Sequence, residues 1–278
     1  MKNEHSAQVS YWQRTGLSVR EGYKMHRKSG QLAKGPDSWR NVPQHCLVQV
    51  ARTEVLGNWV DLPGDIIADM KMGSILHDFS KKQEIEVTKK ANESGESPIT
   101  AIRVKDERDE IFLKHAGFND RVRRLADSTG GLAPQLLETD RLLDQPSLSD
   151  DDWAYLIIHY VDDCSIGSDW VKLSEIEENG RRVNILDYRE RGLRINPNYD
   201  RISVEVTEEL AAYPKFSGMD NFNVWSMVSR RIEQSLAGKI NEVTWETIDP
   251  YMIPELVDQK IRQAIEAFHE TPRRANSL

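Results

Sequence analysis

Apolar residues recur at helical spacing along most of the chain, whereas stretches that alternate apolar and polar residues are few and scattered. A helix is predicted from Pro43, because proline suits a first helical turn and an apolar stripe follows in HCLVQVARTEVLGNW. The string LPGD should end this helix, with Asp65 available to cap the next one. That second helix, IIADMKMGSILHDFSKKQEIEVTKKA, is predicted to be long, and its apolar half ends at a histidine and an aspartate.

A polar connection, ANESGESP, precedes three shorter amphipathic segments between residues 107 and 145. The segment DDWAYLIIHYVDDC is apolar nearly all round and is predicted to be a central helix capped by Ser149 or Asp150. Two more helices are predicted at residues 219–237 and 254–270, and RISVEVT is one of the few candidate strands. These patterns predict an all-α fold.

Composition and charge narrow the class of protein. The 278 residues carry a formal net charge of −8, which argues against binding along a long nucleic acid. We expect neither a membrane span nor a secretory leader, and therefore a cytoplasmic protein. The two cysteines, Cys46 and Cys164, are predicted to be free buried thiols.

Basic residues outnumber acidic ones in an N-terminal arm, residues 1–40, which is predicted to be a separate segment. This arm is either a rim that attracts phosphate to a cleft or a solvated amphipathic segment. Its aromatic residues Tyr11, Trp12 and Tyr23 either stack on a nucleobase or pack against the core. If the protein still folds without residues 1–40, metal binding should survive, while nucleotide hydrolysis should weaken mainly through the Michaelis constant. The basic residues of the arm are Lys2, Arg14, Arg20, Lys24, Arg27, Lys28, Lys34 and Arg40.

Candidate chemistry is concentrated where polar residues interrupt apolar helices. His77 and Asp78 lie side by side at the end of an apolar run, and His45 opens the first strongly apolar helix. Asp162 and Asp163 interrupt the most apolar helix, where a buried carboxylate requires a cation, a metal or hydrogen-bond donors. Together these residues offer the nitrogen and oxygen ligands that suit a first-row divalent ion.

The order of these residues resembles the H...HD...D signature of the HD-domain superfamily of metal-dependent phosphohydrolases. The strings PQHCLVQVARTEVL, GSILHDFSK and IIHYVDD resemble the first helix, the central motif and the final segment of that family. The resemblance implies an HD-domain-like helical bundle with extra N-terminal and C-terminal helical segments. It places the metal-binding core at residues 41–170 and a C-terminal helical extension, packed on that core, at residues 171–278.

The resemblance also implies the roles of particular residues. The metal ligands would be His45, His77, Asp78 and either Asp162 or Asp163, with Asp162 favoured by its place after Val161. They would hold one divalent ion in preference to two, drawn from Mn, Mg, Fe, Co, Ni or Zn. Asp78 would also position or deprotonate the attacking water.

Other residues are candidates for contact with the phosphate. Lys81 falls where the family places a lysine, and it is either a phosphate ligand or a solvated lysine at a helix end. Arg52 lies two helical turns after His45 and is either a substrate ligand or a surface arginine. His115 is a candidate for substrate contact or a second metal, and His159 for orienting a carboxylate. His5, His26 and His269 are predicted to be exposed.

The function implied is hydrolysis of a phosphate ester, with a small nucleotide as the expected substrate. Two alternatives remain open: an HD-like di-iron oxygenase, and a non-catalytic module that binds or senses a nucleotide. The sequence leaves the oligomeric state open.

Overall fold

The computed structural model describes residues 19–32, Trp39 and residues 41–270, with side chains as far as residue 267. Helices make up most of the described part of the chain, so the predicted all-α class is confirmed. The predictions for His5, Tyr11, Trp12 and the side chain of His269 lie outside the described residues. So do those for Lys2, Arg14, Lys34 and Arg40.

Helix α1 comprises residues 19–28. The helices that follow in chain order are α2 (Asn41–Trp59), α3 (Gly64–Leu76), α4 (Lys81–Ser94), α5 (Pro98–His115), α6 (Asp120–Ala126), α7 (Ala133–Leu143), α8 (Asp150–Asp163), α9 (Tyr188–Ile195), α10 (Tyr199–Leu210), α11 (Asn221–Thr244) and α12 (Ile253–Glu270). Short 3-10 turns occupy Pro214–Phe216 and Pro250–Met252. Two small antiparallel hairpins pair β1 (Ser165–Ile166) with β2 (Asp169–Trp170), and β3 (Ser174–Ile176) with β4 (Arg182–Asn184).

The predicted long second helix is wrong, because it is divided at the candidate metal residues. Helix α3 ends at Leu76, residues 77–80 form a turn, and α4 begins at Lys81. The predicted cap is also wrong, since Asp65 lies in the first turn of α3 and Pro63 occupies the N-cap position. His77 and Asp78 therefore lie in a turn and not in a regular helix. Their side chains are not held about 100° apart, as adjacent residues of a helix would be.

The candidate strand RISVEVT is helical and lies within α10. The buried residues Ile202, Val206 and Leu210 of α10 recur every four positions. This spacing is typical of a helix that packs on one face. At α8, the predicted cap Ser149 is confirmed: its hydroxyl accepts from the Asp152 N–H, and Asp152 accepts from Ser149 in return.

Helix α8 lies at the centre of the fold, as its apolar sequence predicted. Every residue from 154 to 163 is buried, and the helix contacts α2, α3, α6 and α11. In addition, α11 packs against α7, and α12 packs against α2. The main apolar core runs from Leu56 to Val257 and therefore continues past residue 170 into the C-terminal third.

A close approach between α3 and α6 depends on Gly73. A Cβ atom added there would lie 2.7 Å from the Cβ of Leu125 and 3.2 Å from the Leu125 carbonyl carbon. Such contacts leave no room for a larger residue without movement of the backbone. The glycine therefore fixes α3 against α6 one turn before the turn that carries His77.

A buried acid in α11 gives the fold a pH dependence. Glu233 is fully buried, with Oε1 3.4 Å from the Tyr160 hydroxyl and Oε2 3.3 Å from Nη2 of Arg182. Burial raises the pKa of the Glu233 carboxyl from 4.5 to about 7.

We predict that Glu233→Gln stabilises the protein at neutral and alkaline pH. Because the folded-state pKa is raised, the wild type loses stability as pH rises from about 4.5 to about 7, while the variant has no such loss. The free energy of unfolding should therefore favour the variant by about 1–3 kcal/mol at pH 8 and show little difference at pH 4.5. Urea unfolding at both pH values measures this, with Glu242→Gln on the exposed face of α11 as control. Equal stability at pH 8 would contradict the prediction.

Candidate metal centre

Three side chains from separate elements converge beside α8. Nε2 of His45, from α2, lies 3.2 Å from Oδ1 of Asp162, at the end of α8. Nε2 of His77, in the turn after α3, lies 3.5 Å from the same oxygen. All three ligand atoms lie within 4.8 Å of one another. Ligands about 2.1 Å from a shared ion are separated by roughly 3.0–3.4 Å in octahedral or tetrahedral geometry, so the spacing fits a bound divalent cation.

Hydrogen bonds behind the two imidazoles orient them towards this point. Nδ1 of His45 lies 2.7 Å from the Gly167 carbonyl, and Nδ1 of His77 lies 2.8 Å from the Ser74 carbonyl. Each Nδ1 must therefore donate its hydrogen, which leaves Nε2 as the lone-pair atom in the neutral ring. Nε2 of His77 is buried without a hydrogen-bond partner, as expected of an atom whose partner is an ion.

Asp162 is held in its ionised form by surrounding donors. Burial opposes its charge, but the adjoining imidazoles of His45 and His77 and the charge of Arg191 hold the pKa of its carboxyl well below the usual value. Arg191 also fixes the backbone, donating to the carbonyls of Asp162 at 2.5 Å and Ser165 at 2.6 Å. The carboxylate is thus rigid and charged, which suits a metal ligand.

Asp78 lies at the edge of this cluster. Its Oδ2 is 3.5 Å from Nε2 of His77, and its Oδ1 is 3.7 Å from Nζ of Lys81. Burial opposes its ionisation, but the charges of Lys81 and His77 lower the pKa of the carboxyl. Of the four predicted ligands, the structure therefore brings His45, His77 and Asp162 into one tight group and leaves Asp78 next to His77.

Asp163 faces away from this group. Its carboxylate accepts from Trp225 Nε1 at 2.8 Å and from the Ser229 hydroxyl, and it lies 3.3 Å from Nε2 of His159. His159 therefore lies within ion-pair distance of Asp163, and its other ring nitrogen lies 2.7 Å from the Ser128 carbonyl. The geometry favours Asp162 as the aspartate ligand.

Arg52 does not reach the site, contrary to the predicted substrate contact. It is buried, and it donates to the Ser165 hydroxyl at 2.9 Å and the Ser168 carbonyl at 3.0 Å. Its guanidinium also lies 4.3 Å above the Trp170 ring and 3.7 Å from Asp258. It holds the β1–β2 hairpin against α2.

Two further predictions for histidines are corrected. His115 is exposed at the end of α5 and does not line the cavity next to the metal residues, so the structure does not support its predicted substrate contact. His26 is fully buried instead of exposed. Its Nε2 lies 2.6 Å from the Ile75 carbonyl, directly before the turn that carries His77.

His26 belongs to a group of contacts that we call the N-terminal brace, residues 26–31. Gln31 Nε2 donates to the Asp78 carbonyl at 2.6 Å, and the Ser29 hydroxyl donates to the Phe79 carbonyl. Gln31 Oε1 lies 3.0 Å from Nδ1 of His26, so both ring nitrogens of His26 face acceptor oxygens. Burial opposes protonation, but hydrogen bonds to Cys46 and Gln31 and the Ile75 carbonyl raise the pKa of His26.

The described basic residues of the arm are exposed and do not line the cavity: Arg20, Lys24, Arg27 and Lys28. Tyr23 is half-buried against the small core between α1, α2 and α3, and it does not line the cavity either. Trp39 is the described arm residue that lines the cavity. Residues 26–31 of the arm instead bind the backbone of the turn that carries His77 and Asp78.

Both cysteines are buried and free, as predicted. Burial disfavours the thiolate of Cys46, but the neighbouring His77 and His26 lower the pKa of its thiol to about 6. Cys46 therefore has a more polar environment than the apolar filler expected from the sequence.

The candidate ligand residues His45, His77, Asp78 and Asp162 all line a cavity of about 430 Å³. Lys81 lines this cavity, as the predicted phosphate contact requires. Three further cationic residues line it that the sequence analysis did not identify: Lys105, Arg191 and Arg194. Their charged surroundings, DERDE and YRERGLR, are typical of solvated helix faces, so the pattern carried no signal for a site. Aromatic walls are supplied by Trp39, Tyr199 and Trp225.

Comparison with protein-family models, with curated protein sequences and with solved structures gives no match. The resemblance to the HD-domain superfamily therefore rests on the motif residues alone and stays a prediction. Among the described residues, none of the helices combines the length and apolar character needed to cross a lipid bilayer.

Proposed function

We propose that this protein is a divalent-metal-dependent phosphohydrolase of the HD type that acts on a small phosphate ester, with a nucleotide as the expected substrate. The observation that carries the proposal is the convergence of two oriented imidazoles and one ionised carboxylate at the wall of a cavity that also contains cationic side chains.

The donor set fits a first-row divalent ion held by His45, His77 and Asp162, with Asp78 beside them. When bound, such an ion supplies Lewis acidity towards a phosphoryl oxygen and makes a water molecule more acidic. Asp78 remains ionised next to Lys81, so its carboxylate is suited to orient the attacking water by accepting a hydrogen bond from it. Its lowered pKa makes it a weak base, so deprotonation of that water would depend on the acidity that a bound ion supplies.

The cationic side chains support binding of phosphate. Lys81 Nζ lies 3.7 Å from Asp78 and 3.0 Å from Glu84, so it adjoins the metal residues while remaining at the cavity wall. Arg194 lines the cavity and is otherwise exposed, with only a distant pairing to Glu190 at 3.8 Å. Arg194 is therefore available to neutralise a phosphate group, whereas Lys81 would be shared between the phosphate and Glu84.

The cavity supports a small substrate in preference to a polymer. Its volume of about 430 Å³ lies in the range of pockets for small molecules, and Trp39 and Tyr199 provide aromatic surface for a base. The di-iron alternative requires more imidazoles. In the described part of the chain, His45 and His77 are the histidines that line the cavity.

Phosphate release under defined metal loading tests this function. Chelator-treated protein, reloaded separately with Mn, Mg, Fe, Co, Ni or Zn, should release phosphate from nucleotides or simple phosphate esters with at least one ion. Lys81→Gln should lower kcat/KM about 10- to 100-fold because a phosphate contact is lost, whereas Lys90→Gln on the exposed face of α4 should not. Metal uptake and nucleotide binding without turnover would instead support the sensor alternative.

A further inference from the structure

The side chain of Gln49 contacts two of the atoms that would bind the metal ion, one on His45 and one on Asp162. It lies one helical turn after His45 on α2 and is fully buried. Its Nε2 is 2.7 Å from Nε2 of His45 and 2.7 Å from Oδ1 of Asp162. Its Oε1 is also buried and has no hydrogen-bond partner. An amide is therefore enclosed against two proposed ligands, with one of its two ends unsatisfied.

The amide N–H groups and a cation require the same lone pairs. With His45 in its Nδ1–H form, the amide donates to His45 Nε2 and to Asp162 Oδ1. Binding of an ion to His45 Nε2 removes the hydrogen bond to that atom, which has a single lone pair, and the ion competes with the amide for Asp162 Oδ1. The buried side chain then has a simple rearrangement available: rotation of the amide by half a turn exchanges its nitrogen and oxygen without changing its shape.

After this rotation, Oε1 occupies the place of Nε2, 2.7 Å from each of the two proposed ligand atoms. That separation is slightly shorter than the edge of roughly 3.0 Å expected between neighbouring ligands of an octahedral ion. A small shift of the flexible side chain accommodates the difference. The oxygen that now lacks a partner would then face the cation.

We infer that Gln49 is a further ligand of the divalent ion and supplies its side-chain carbonyl oxygen. This inference rests on the proposed metal site. A neutral, hard oxygen raises the number of ligands without adding charge, and it favours Mn²⁺ or Mg²⁺ over Zn²⁺, which prefers four ligands rich in nitrogen or sulfur. Gln49 would therefore help to determine which ion the protein selects.

The metal affinities of two Gln49 variants test the inference. Gln49→Leu keeps the approximate volume and removes the oxygen, whereas Gln49→Glu keeps an oxygen and removes the N–H donors. Thr53→Val is the matched control, because Thr53 is equally buried one turn further along α2 and its hydroxyl bonds only the Gln49 and Val50 carbonyls and Ser74. Titration calorimetry with Mn²⁺ and with Zn²⁺ gives the Kd values.

If Gln49 is a ligand, Gln49→Leu should weaken Mn²⁺ binding by about 10- to 100-fold and Zn²⁺ binding by less. Gln49→Glu should bind Mn²⁺ at least as tightly as wild type, and Thr53→Val should match wild type for both ions. Unchanged or tighter Mn²⁺ binding by Gln49→Leu would overturn the inference. So would Gln49→Glu binding as weakly as Gln49→Leu, since the amide would then act only as a donor that positions Asp162.

The outcomes separate this inference from the proposed function. Wild-type protein that binds no divalent ion would refute the metal site itself. Wild-type binding with unchanged affinity in Gln49→Leu would refute only the role of Gln49. If Gln49→Leu does not fold, the comparison of Gln49→Glu with wild type still decides between a ligand and a donor.

Discussion

Asp162→Asn is expected to abolish divalent-ion binding and phosphate release. The carboxylate lies 3.2 Å from Nε2 of His45 and 3.5 Å from Nε2 of His77, so it is the one group that joins both imidazoles. Asparagine keeps the shape but removes the charge that balances the ion and Arg191. We expect the Kd for the preferred ion to rise by at least about 100-fold. Elemental analysis of dialysed protein and titration calorimetry measure this loss.

The adjacent acid supplies the control. Asp163 is equally buried in the same helix, but Trp225, Ser229 and His159 hold its carboxylate. Asp163→Asn should therefore lower the melting temperature while the folded protein still binds the ion. If Asp163→Asn lost the metal and Asp162→Asn kept it, the assignment of the ligand would be reversed.

Loss of the N-terminal brace is expected to weaken metal binding strongly. Removal of residues 1–32 would leave the carbonyls of Ile75, Asp78 and Phe79 without the donors that now bind them. It would also expose α3, against which Gly22 packs so closely that an added Cβ would overlap Ile75. We therefore expect metal binding to fail with this truncation, which reverses the expectation from the sequence that binding survives loss of the arm.

A point substitution keeps this prediction testable if the truncated protein does not fold. Gln31→Leu removes only the amide that links His26 to the Asp78 carbonyl, and it should raise the Kd for the ion by about tenfold. Arg27→Ala on the exposed side of the same helix should leave the Kd unchanged. Equal affinity in Gln31→Leu and wild type would show that the brace does not position the turn.

Most of the helices and the grouping of the candidate ligand residues could be predicted because their signals are local. An apolar stripe interrupted by a histidine or an aspartate is visible within one helix, and the structure brings His45, His77 and Asp162 together. The choice between Asp162 and Asp163 required the partners of α8, since adjacent residues on a helix face directions about 100° apart. The positions of Trp225 and Ser229 on α11 show where Asp163 is held.

The error over Arg52 has a geometric cause. Two helical turns place it on the same stripe as His45 but about 10 Å further along the axis, where it meets the β1–β2 hairpin. Gln49, only one turn away, is the residue that reaches the site. The brace could not be predicted because it depends on side-chain bonds to backbone carbonyls some 47 to 50 residues away in sequence.

The break between α3 and α4 separates two groups of cavity residues whose orientations a continuous helix would have linked. The elements up to His77, together with α8, carry the candidate ligand cluster, whereas α4 and α5 pack against each other and contribute Lys81, Glu84, Lys105 and Asp106 to the lining of the cavity. In a single helix, any insertion or twist after the aspartate would rotate both sets together. With the turn in between, changes of sequence or length in the α4–α5 hairpin can alter the lining of the cavity while the grouping of His45, His77 and Asp162 stays in place.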